Sequence, residues 1–142
     1  MRLTRYTDYS LRVLMCLGVQ DDGLATIRSI AECYGMSRNH IMKVVFDLGR
    51  LGYIETIRGK GGGIRLRRRP CEINIGGLIR EMESDLNIVE CFGPCNTCRI
   101  ASTCVIRRAL DEALTAFLSV LDGYTLADLI KPERELKRLL GC

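Results

Sequence analysis

Apolar residues repeat at helical spacing in three stretches of the N-terminal half. The first predicted helix runs from about Thr7, a suitable N-cap residue, to Val19. The second, "TIRSIAECY", starts with Thr26 as its cap, and the third, "SRNHIMKVVFDLGRL", starts with Ser37 shortly after Gly35. Two helices joined by a short turn that contains glycine indicate a helix-turn-helix.

The third of these helices has one apolar and one polar face. Its apolar residues follow the i, i+3, i+4, i+7 spacing and are expected to face a core. They are Ile41, Val44, Val45 and Leu48. The opposite face carries Asn39, Lys43, Phe46 and Arg50, with Arg38 and His40 beside its first turn. Because asparagine can bond adenine and arginine can bond guanine, this face is predicted to read bases, with Lys43 suited to phosphate.

A glycine-rich stretch follows the third helix. "YIETIRGKGGGIRL" alternates apolar and polar residues around a turn, which predicts a β-hairpin with Arg58 and Lys60 at its tip. Three consecutive glycines allow the backbone to approach phosphates, and the cations neutralise them. A basic hairpin directly after a helix-turn-helix is typical of winged-helix domains that bind double-stranded DNA. The predicted DNA-binding residues are Ser37, Arg38, Asn39, His40, Lys43, Arg58 and Lys60.

The C-terminal half contains a second set of helical patterns. "IGGLIREME" follows Asn74, another N-cap residue, and "YTLADLIKPERELKRLLGC" is predicted to form two short helices broken at Pro132. Between them a long helix is expected from about Thr103 to Leu121. Its apolar stripe is wider than is needed to pack against the three N-terminal helices, which form a small head. The surplus predicts a homodimer, and the alternative is a helix that packs only on its own head.

These elements predict a mainly α fold with a small β-hairpin wing. Residues 1–70 are predicted to form the winged helix-turn-helix DNA-binding domain, and residues 71–142 a cysteine-rich, cluster-binding loop with the dimerisation helices. Charge divides in the same way: the first part has 13 Lys and Arg against 6 Asp and Glu, and the second has 8 against 11. The basic head therefore favours a polyanionic partner.

Composition excludes several classes of protein. The 142 residues are 47% hydrophobic and 27% charged, as in soluble globular proteins, and the apolar runs are too short to cross a bilayer. The N-terminus lacks a signal-peptide pattern, which predicts a cytoplasmic protein with no membrane partner. In that reducing compartment, eight cysteines are not expected to form four stable disulfides. No arrangement of Ser, His and Asp or of paired carboxylates indicates an enzyme.

Four cysteines are crowded into "CFGPCNTCRIASTC", residues 91–104. Structural zinc sites use two close pairs separated by a dozen or more residues, but only Cys95 and Cys98 form such a pair here. A thioredoxin-like redox pair would follow a strand, and no such strand is evident. Unevenly spaced thiolates on an irregular loop suit an iron–sulfur cluster. The spacing favours a cluster and leaves zinc open.

Resemblance to a known family narrows these alternatives. The stretches "LTRYTDYSLR", "YGMSRNHIMKV", "LGYIETIRGKGGGIRL", "INIGGLIREME" and "LDGYTLADLI", together with the cysteine loop, resemble those of Rrf2-type winged-helix iron–sulfur regulators. They occur in the same order and extend over nearly the whole chain. Within that family the sequence most resembles the nitrite- and nitric-oxide-sensitive repressors.

This resemblance implies a homodimer that binds operator DNA while an iron–sulfur cluster is intact and releases it when nitric oxide attacks the cluster. The implied ligands of a 4Fe-4S cluster are Cys91, Cys98 and Cys104, with Asp8 of the partner subunit as the fourth. Cys95 is an additional thiol in the first gap and is interpreted as a spectator. The alternatives are a 2Fe-2S cluster, a sensor of iron or cluster supply with the same architecture, and a zinc-stapled DNA-binding protein.

Overall fold

A computed structural model describes residues 2–20 and 23–141. They form seven α-helices and one antiparallel hairpin, with two short 3-10 helices at Pro70–Glu72 and Glu90–Phe92. The helices are α1 (Arg5–Val19), α2 (Ile27–Tyr34), α3 (Arg38–Arg50), α4 (Ile75–Met82), α5 (Val105–Asp122), α6 (Leu126–Leu129) and α7 (Glu133–Leu140), and the strands are β1 (Ile54–Ile57) and β2 (Gly63–Leu66). No helix of this described part is long and apolar enough to cross a membrane.

The first three helices pack around one hydrophobic core. The inward residues of α3 are all buried, as their spacing predicted; they are Ile41, Val44, Val45 and Leu48. Gly35 ends α2 in the left-handed conformation at φ 62°, and its N–H donates to the carbonyl groups of Ala31 and Glu32. Glycine adopts that conformation at little cost, so the chain turns sharply and Ser37 becomes the N-cap of α3. The predicted helix-turn-helix is confirmed.

The start of α1 differs from the prediction, because Thr7 is not its cap. The helix begins at Arg5, and its N-cap is Thr4, whose hydroxyl accepts a hydrogen bond from the N–H of Thr7 at 3.2 Å. Thr7 is buried inside the first turn. Both threonines suit a cap, but a tertiary contact selects Thr4, since its N–H donates to Glu83 Oε1 at 2.8 Å. A partner so distant in the chain leaves no local signal.

The wing is a short hairpin whose tip requires glycine. β1 and β2 pair along their whole length. At the tip, Gly59 and Gly61 have φ values of 106° and 80°, and a Cβ on Gly62 would lie 2.9 Å from the carbonyl oxygen of Gly59. Ile64 of β2 exchanges backbone hydrogen bonds of 2.7 and 2.9 Å with Ala25. The wing is therefore attached to the segment just before α2.

The hydrophobic core continues from the head into the C-terminal half. Leu78 of α4 and Leu126 of α6 are fully buried in the same cluster as the core of the first three helices. Asn74 caps α4, since its side chain accepts a hydrogen bond from a backbone N–H of the first turn at 2.8 Å. Pro132 lies at the N-cap position of α7, so the C-terminal pattern divides into two helices at the predicted residue.

Helix α5 is the exception, because none of its residues is buried. Val105, Ile106 and Val120 are 67%, 62% and 63% exposed. The helix is attached at its C-terminal end, where Asp122 accepts two hydrogen bonds from Arg80 at 2.6 and 2.7 Å. A long helix is thus held against α4 at one end and leaves an apolar face uncovered.

Candidate nucleic-acid interface and metal centre

The outer face of α3 is exposed along the helix. Its exposed residues, with the N-cap, are Ser37, Arg38, Asn39, His40, Met42, Lys43, Phe46 and Arg50. The hydroxyl of Ser37 makes no capping hydrogen bond and is available to another partner. Free N–H groups at the start of a helix favour an anion such as a phosphate. The start of α3 therefore groups Ser37, Arg38, Asn39 and His40 on the surface.

The wing tip carries two cations that form no ion pair within the described residues. Both Arg58 and Lys60 are exposed. Arg65 of β2 is different, since its Nε lies 2.6 Å from Glu55 Oε1 on β1. An unpaired exposed cation can neutralise a phosphate directly, whereas a paired one must first leave its partner. Arg58 and Lys60 are therefore the wing residues best suited to a phosphate.

A tyrosine of α1 holds α3 from behind. The hydroxyl of Tyr6 donates to the carboxylate of Asp47 and lies 2.9 Å from the carbonyl oxygen of Lys43. Burial and the hydrogen bond with Asp47 raise the pKa of Tyr6 to about 12, and the same bond lowers the pKa of Asp47. These partners are 41 and 37 positions from Tyr6, so no local pattern in the sequence signals the contact.

A second tyrosine of α1 contacts the start of α3. The rings of Tyr9 and His40 are tilted by 42°, with centroids 6.2 Å apart. With Arg5, Tyr6 and Lys43 they line a hollow of about 310 Å³. The N-terminal part of α1 therefore borders the face of α3 that is predicted to contact DNA.

Asp8 lies between these two tyrosines in the sequence and lines a different hollow. That hollow has a volume of about 470 Å³ and includes Leu3 and Leu11. The Asp8 carboxylate is 3.0 Å from Nε of Arg12, and the side chains are 45% and 43% exposed. A surface ion pair of this kind contributes little stability, so Asp8 can exchange Arg12 for another partner.

The predicted thiol ligands are not assembled around one point in the isolated chain. Cys91 and Cys104 are partly buried, while Cys95 and Cys98 are exposed, and none of the four forms a disulfide with a described residue. Among the described Cys, His, Asp and Glu side chains, no three converge in a way that could hold a metal ion. Assignment of Asp8 and the thiols to one site remains a prediction.

The donors nevertheless fit an iron–sulfur cluster in type. Residues 93–104 contain no helix or strand, so this loop can bring unevenly spaced thiolates to one centre. Thiolates are soft ligands that suit such clusters, and a carboxylate is a harder ligand. Three thiols on an irregular loop and one exposed carboxylate therefore match the donor set in chemistry, although the loop is not pre-arranged.

An arginine near the start of α5 lies against the cysteine loop. Nε of Arg107 donates to the carbonyl oxygen of Cys91 at 3.4 Å, and its guanidinium lies 5.6 Å from the ring centroid of Phe92. With Cys98 and Asn96 it lines a hollow of about 400 Å³. Cysteine binds a metal ion as the negative thiolate, so a cation here would complement the loop when it holds a metal. One basic residue among 21 gave no signal in the sequence.

The fold and its exposed face define a class of protein. A helix-turn-helix with an exposed basic helix and a glycine-tipped basic hairpin is a winged-helix DNA-binding domain. The sequence profile of the Rrf2 family, described as an iron-dependent transcriptional regulator, matches residues 3–132. The chain therefore belongs to the Rrf2 family of transcriptional regulators.

Curated relatives match the chain over nearly its whole length. The HTH-type transcriptional regulator NsrR of Bacillus subtilis is 54% identical over 142 residues, which cover 99% of this chain and 97% of the relative. The regulator of the same name from Geobacillus kaustophilus is 53% identical with the same coverage. These relatives are transcriptional regulators and not enzymes, and the same holds for this chain.

Solved structures of the family have the same architecture. T. potens IscR has a TM-score of 0.75 and 25% identity, over 93% of this chain and 88% of that one. CymR, the global cysteine regulator of B. subtilis, has a TM-score of 0.72 and 26% identity, over 91% and 95%. These similarities confirm the predicted fold class of a mainly α, winged-helix protein.

Proposed function

We propose that this protein is a transcriptional repressor that binds operator DNA as a homodimer and senses nitric oxide through a bound iron–sulfur cluster. One observation carries the proposal: an exposed basic helix-turn-helix and a loop of four cysteines occur in one chain that is 54% identical to a regulator named NsrR. The protein acts in the cytoplasm, where its thiols remain reduced.

Operator binding is assigned to α3 and the wing. The first turn of α3 enters the major groove, where Asn39 suits adenine and Arg38 suits guanine. The other predicted residues are assigned to phosphate contacts; they are Ser37, His40, Lys43, Arg58 and Lys60. The exposure of all these residues and the unpaired state of the wing-tip cations in the described part support this assignment.

The uncovered face of α5 is assigned to a second copy of the chain. Val105, Ile106 and Val120 expose apolar surface, and removal of such surface from water favours association. Regulators with one small reading head commonly bind two half-sites as symmetric dimers. Pairing of α5 with α5 of a second copy would therefore bury this apolar surface and set the spacing between the two DNA-binding heads.

The cluster is assigned to Cys91, Cys98 and Cys104, and Asp8 of the partner subunit completes a 4Fe-4S set. When bound, the cluster is the group that reacts with nitric oxide, and this reaction nitrosylates the cluster or removes it. Arg107 holds one end of the loop through the carbonyl group of Cys91 and offsets the negative charge of the thiolates. A 2Fe-2S cluster is the alternative with the same thiols.

Asp8 connects the sensor to DNA binding through its own helix. The metal site competes with Arg12 for the Asp8 carboxylate, and a released Asp8 can pair with Arg12 at 3.0 Å. Tyr6 and Tyr9, on the same part of α1, contact α3. A change at Asp8 therefore acts on a helix that touches the reading helix, which makes α1 the two-state element of the proposal.

Purification without oxygen tests the proposal. The protein should be coloured, contain iron and acid-labile sulfide, and bind a duplex selected from a random-sequence pool. Affinity for that duplex should fall as nitric oxide is added. Asp8→Ala should retain a cluster of altered stability and respond differently to nitric oxide. Affinity that is indifferent to nitric oxide would refute the sensing role.

A sensor of iron supply is the second candidate, and the description of the family as iron-dependent favours it. Such a protein should release DNA when an iron chelator is added and should respond less to nitric oxide. A zinc-stapled protein should instead contain zinc without labile sulfide. Gel shifts with both reagents, with metal analysis of the same oxygen-free preparation, distinguish the three cases.

A further inference from the structure

Two apolar residues of α3 have no role among the assigned DNA contacts. Phe46 is 71% exposed and Met42 is 53% exposed. With Tyr6, Lys43 and Asp47 they line an open hollow of about 600 Å³. The rest of the outer face of α3 is polar or charged. An exposed aromatic ring in the middle of that face is expected to contact an apolar group of a binding partner.

Phe46 lies on the same stripe of α3 as the polar residues, so a ligand that contacts those residues also contacts its ring. At about 100° per residue, positions 39, 43, 46 and 50 fall on one narrow stripe of the helix. Phe46 thus lies between Asn39 at one end and Arg50 at the other, with Lys43 one turn before it. A ligand that reaches Asn39 and Lys43 along this stripe also reaches the ring.

The surroundings of Phe46 are compatible with a polyanion. The nearby Asp47 accepts a hydrogen bond from Tyr6 and forms an ion pair with Arg50 at 3.2 Å, so its charge is compensated. Lys43 is exposed beside it. In the major groove, thymine alone presents a methyl group at the base edge, and phenylalanine is among the side chains that contact it. DNA therefore supplies both the charge and the apolar group.

We infer that Phe46, flanked by Met42, reads thymine methyl groups in the major groove of the operator. The inference rests on the proposed binding of DNA and adds to it a determinant of sequence preference. Seven residues separate Phe46 from Asn39, which corresponds to roughly 10 Å along the helix. At 3.4 Å per base pair, this separation places the thymine in question within about three base pairs of the base that Asn39 contacts.

Replacement of thymine by deoxyuridine tests the inference, because it removes only the methyl group. The probe is the selected duplex with each thymine replaced singly, and the protein is the full-length, cluster-loaded form. At one or a few positions, wild type should lose about fourfold in affinity per methyl group. Phe46→Ala should bind the thymine duplex more weakly and show no further loss with uracil at those positions.

One control variant and three contradicting outcomes make the result decisive. Leu139→Ala removes a 65% exposed side chain on α7, which belongs to neither α3 nor the wing, and should retain the wild-type thymine preference. Wild-type affinity that is unchanged by uracil at every position would overturn the inference while leaving DNA binding intact. An equal thymine preference in Phe46→Ala would overturn it too, and so would an altered oligomeric state of Phe46→Ala without DNA, which would make the patch a protein contact.

Discussion

The reading head and the cysteine-bearing half differ in how complete they are in a single chain. The three helices of the head contribute fully buried side chains to the common core, among them Leu14, Ile30 and Ile41. In the other half, α5 has no buried residue, and no described cysteine belongs to a group that could hold a metal ion. The residues of the head are thus packed within one chain, whereas the second half leaves apolar surface on α5 uncovered and its cysteines apart.

The largest expected effect is loss of the proposed cluster from Cys98→Ser. Because serine oxygen is a much poorer ligand for iron than thiolate, this variant should lose nearly all iron and labile sulfide. The head makes its contacts without the loop, so the helical circular dichroism should persist. Iron and sulfide analysis of oxygen-free protein measures the change.

Cys95→Ser is the matched control for that variant. It removes an exposed thiol from the same loop, only three residues away, and should retain the wild-type cluster content. Equal loss of iron from both variants would contradict the assignment of Cys95 as a spectator. Retention of iron by Cys98→Ser would remove Cys98 from the ligand set.

Ile106→Glu is expected to dissociate the proposed dimer. The side chain is 62% exposed in the single chain, so its replacement leaves the fold of the monomer intact. A dimer through α5 would instead bury two unpaired carboxylates, which weakens association by about 3–5 kcal/mol. Sedimentation equilibrium should show a change from dimer to monomer at micromolar concentration.

Thr115→Glu places the same charge on the opposite side of α5. Thr115 is exposed and lies nine residues after Ile106, which is about half a turn away around the helix. The variant should remain dimeric. If both variants dissociate, the charge acts on the helix in general, and if neither does, the apolar face of α5 is not the interface.

Local patterns were enough to predict most of the fold. The helix-turn-helix followed from the helical spacing of apolar residues and from Gly35, and the break at Pro132 followed from the chemistry of proline. Glycine in succession predicted the wing. The exposed residues of α3 were also predicted, because helical periodicity determines which side chains face away from a core.

Contacts between distant residues could not be predicted in this way. The capping residue of α1 is selected by Glu83, 79 positions from Thr4, and Tyr6 reaches Asp47 across 41 positions. Asp8 has the appearance of an ordinary acid in a first helical turn, so only the resemblance to a family attached a role to it. Spacing alone carries no information about which side chains a second chain contributes.

Gly76→Ala should weaken the joint between α4 and α5. A Cβ on Gly76 would lie 2.9 Å from the backbone nitrogen of Asp122, which is too close, and it would also meet the carboxylate that binds Arg80. We expect a loss of about 1–3 kcal/mol in the free energy of unfolding, measured with urea. Gly77→Ala is the control, since the nearest atom to its Cβ would be 3.5 Å away. Alanine there should be neutral or stabilising by about 0.5–1 kcal/mol.

Lys60→Ala tests whether the tip of the wing contacts DNA, and its expected effect is smaller. Removal of one phosphate contact should lower the dependence of log affinity on log salt by about 1 per head, or about 2 for a dimer. Arg65→Ala should change this slope less, because Arg65 is already paired with Glu55 at 2.6 Å. Binding to the selected duplex at four salt concentrations gives both slopes. Equal slopes for wild type and Lys60→Ala would exclude the tip of the wing from the interface.

The smallest effect is expected at high pH, at two tyrosines that connect parts of the molecule. Tyr53 precedes β1 and donates to Glu81 Oε2 of α4 at 2.7 Å, and Tyr6 connects α1 to α3. Burial, followed by the hydrogen bond with a carboxylate, raises the pKa of each to about 12 from an ordinary value of 10.

A raised phenol pKa contributes stability that is complete below pH 10 and is lost between pH 10 and 12. In that range the unfolded chain releases the tyrosine protons while the folded chain retains them, so the free energy of unfolding must fall as pH rises. Tyr53→Phe should remove up to about 1.4 kcal/mol per pH unit from that decline. Urea denaturation between pH 9 and 12 measures it, and the difference from wild type cancels the titration of other groups. A larger reduction in Tyr6→Phe than in Tyr53→Phe would locate the alkaline weakness inside the head, and the reverse would locate it at the joint with the second half.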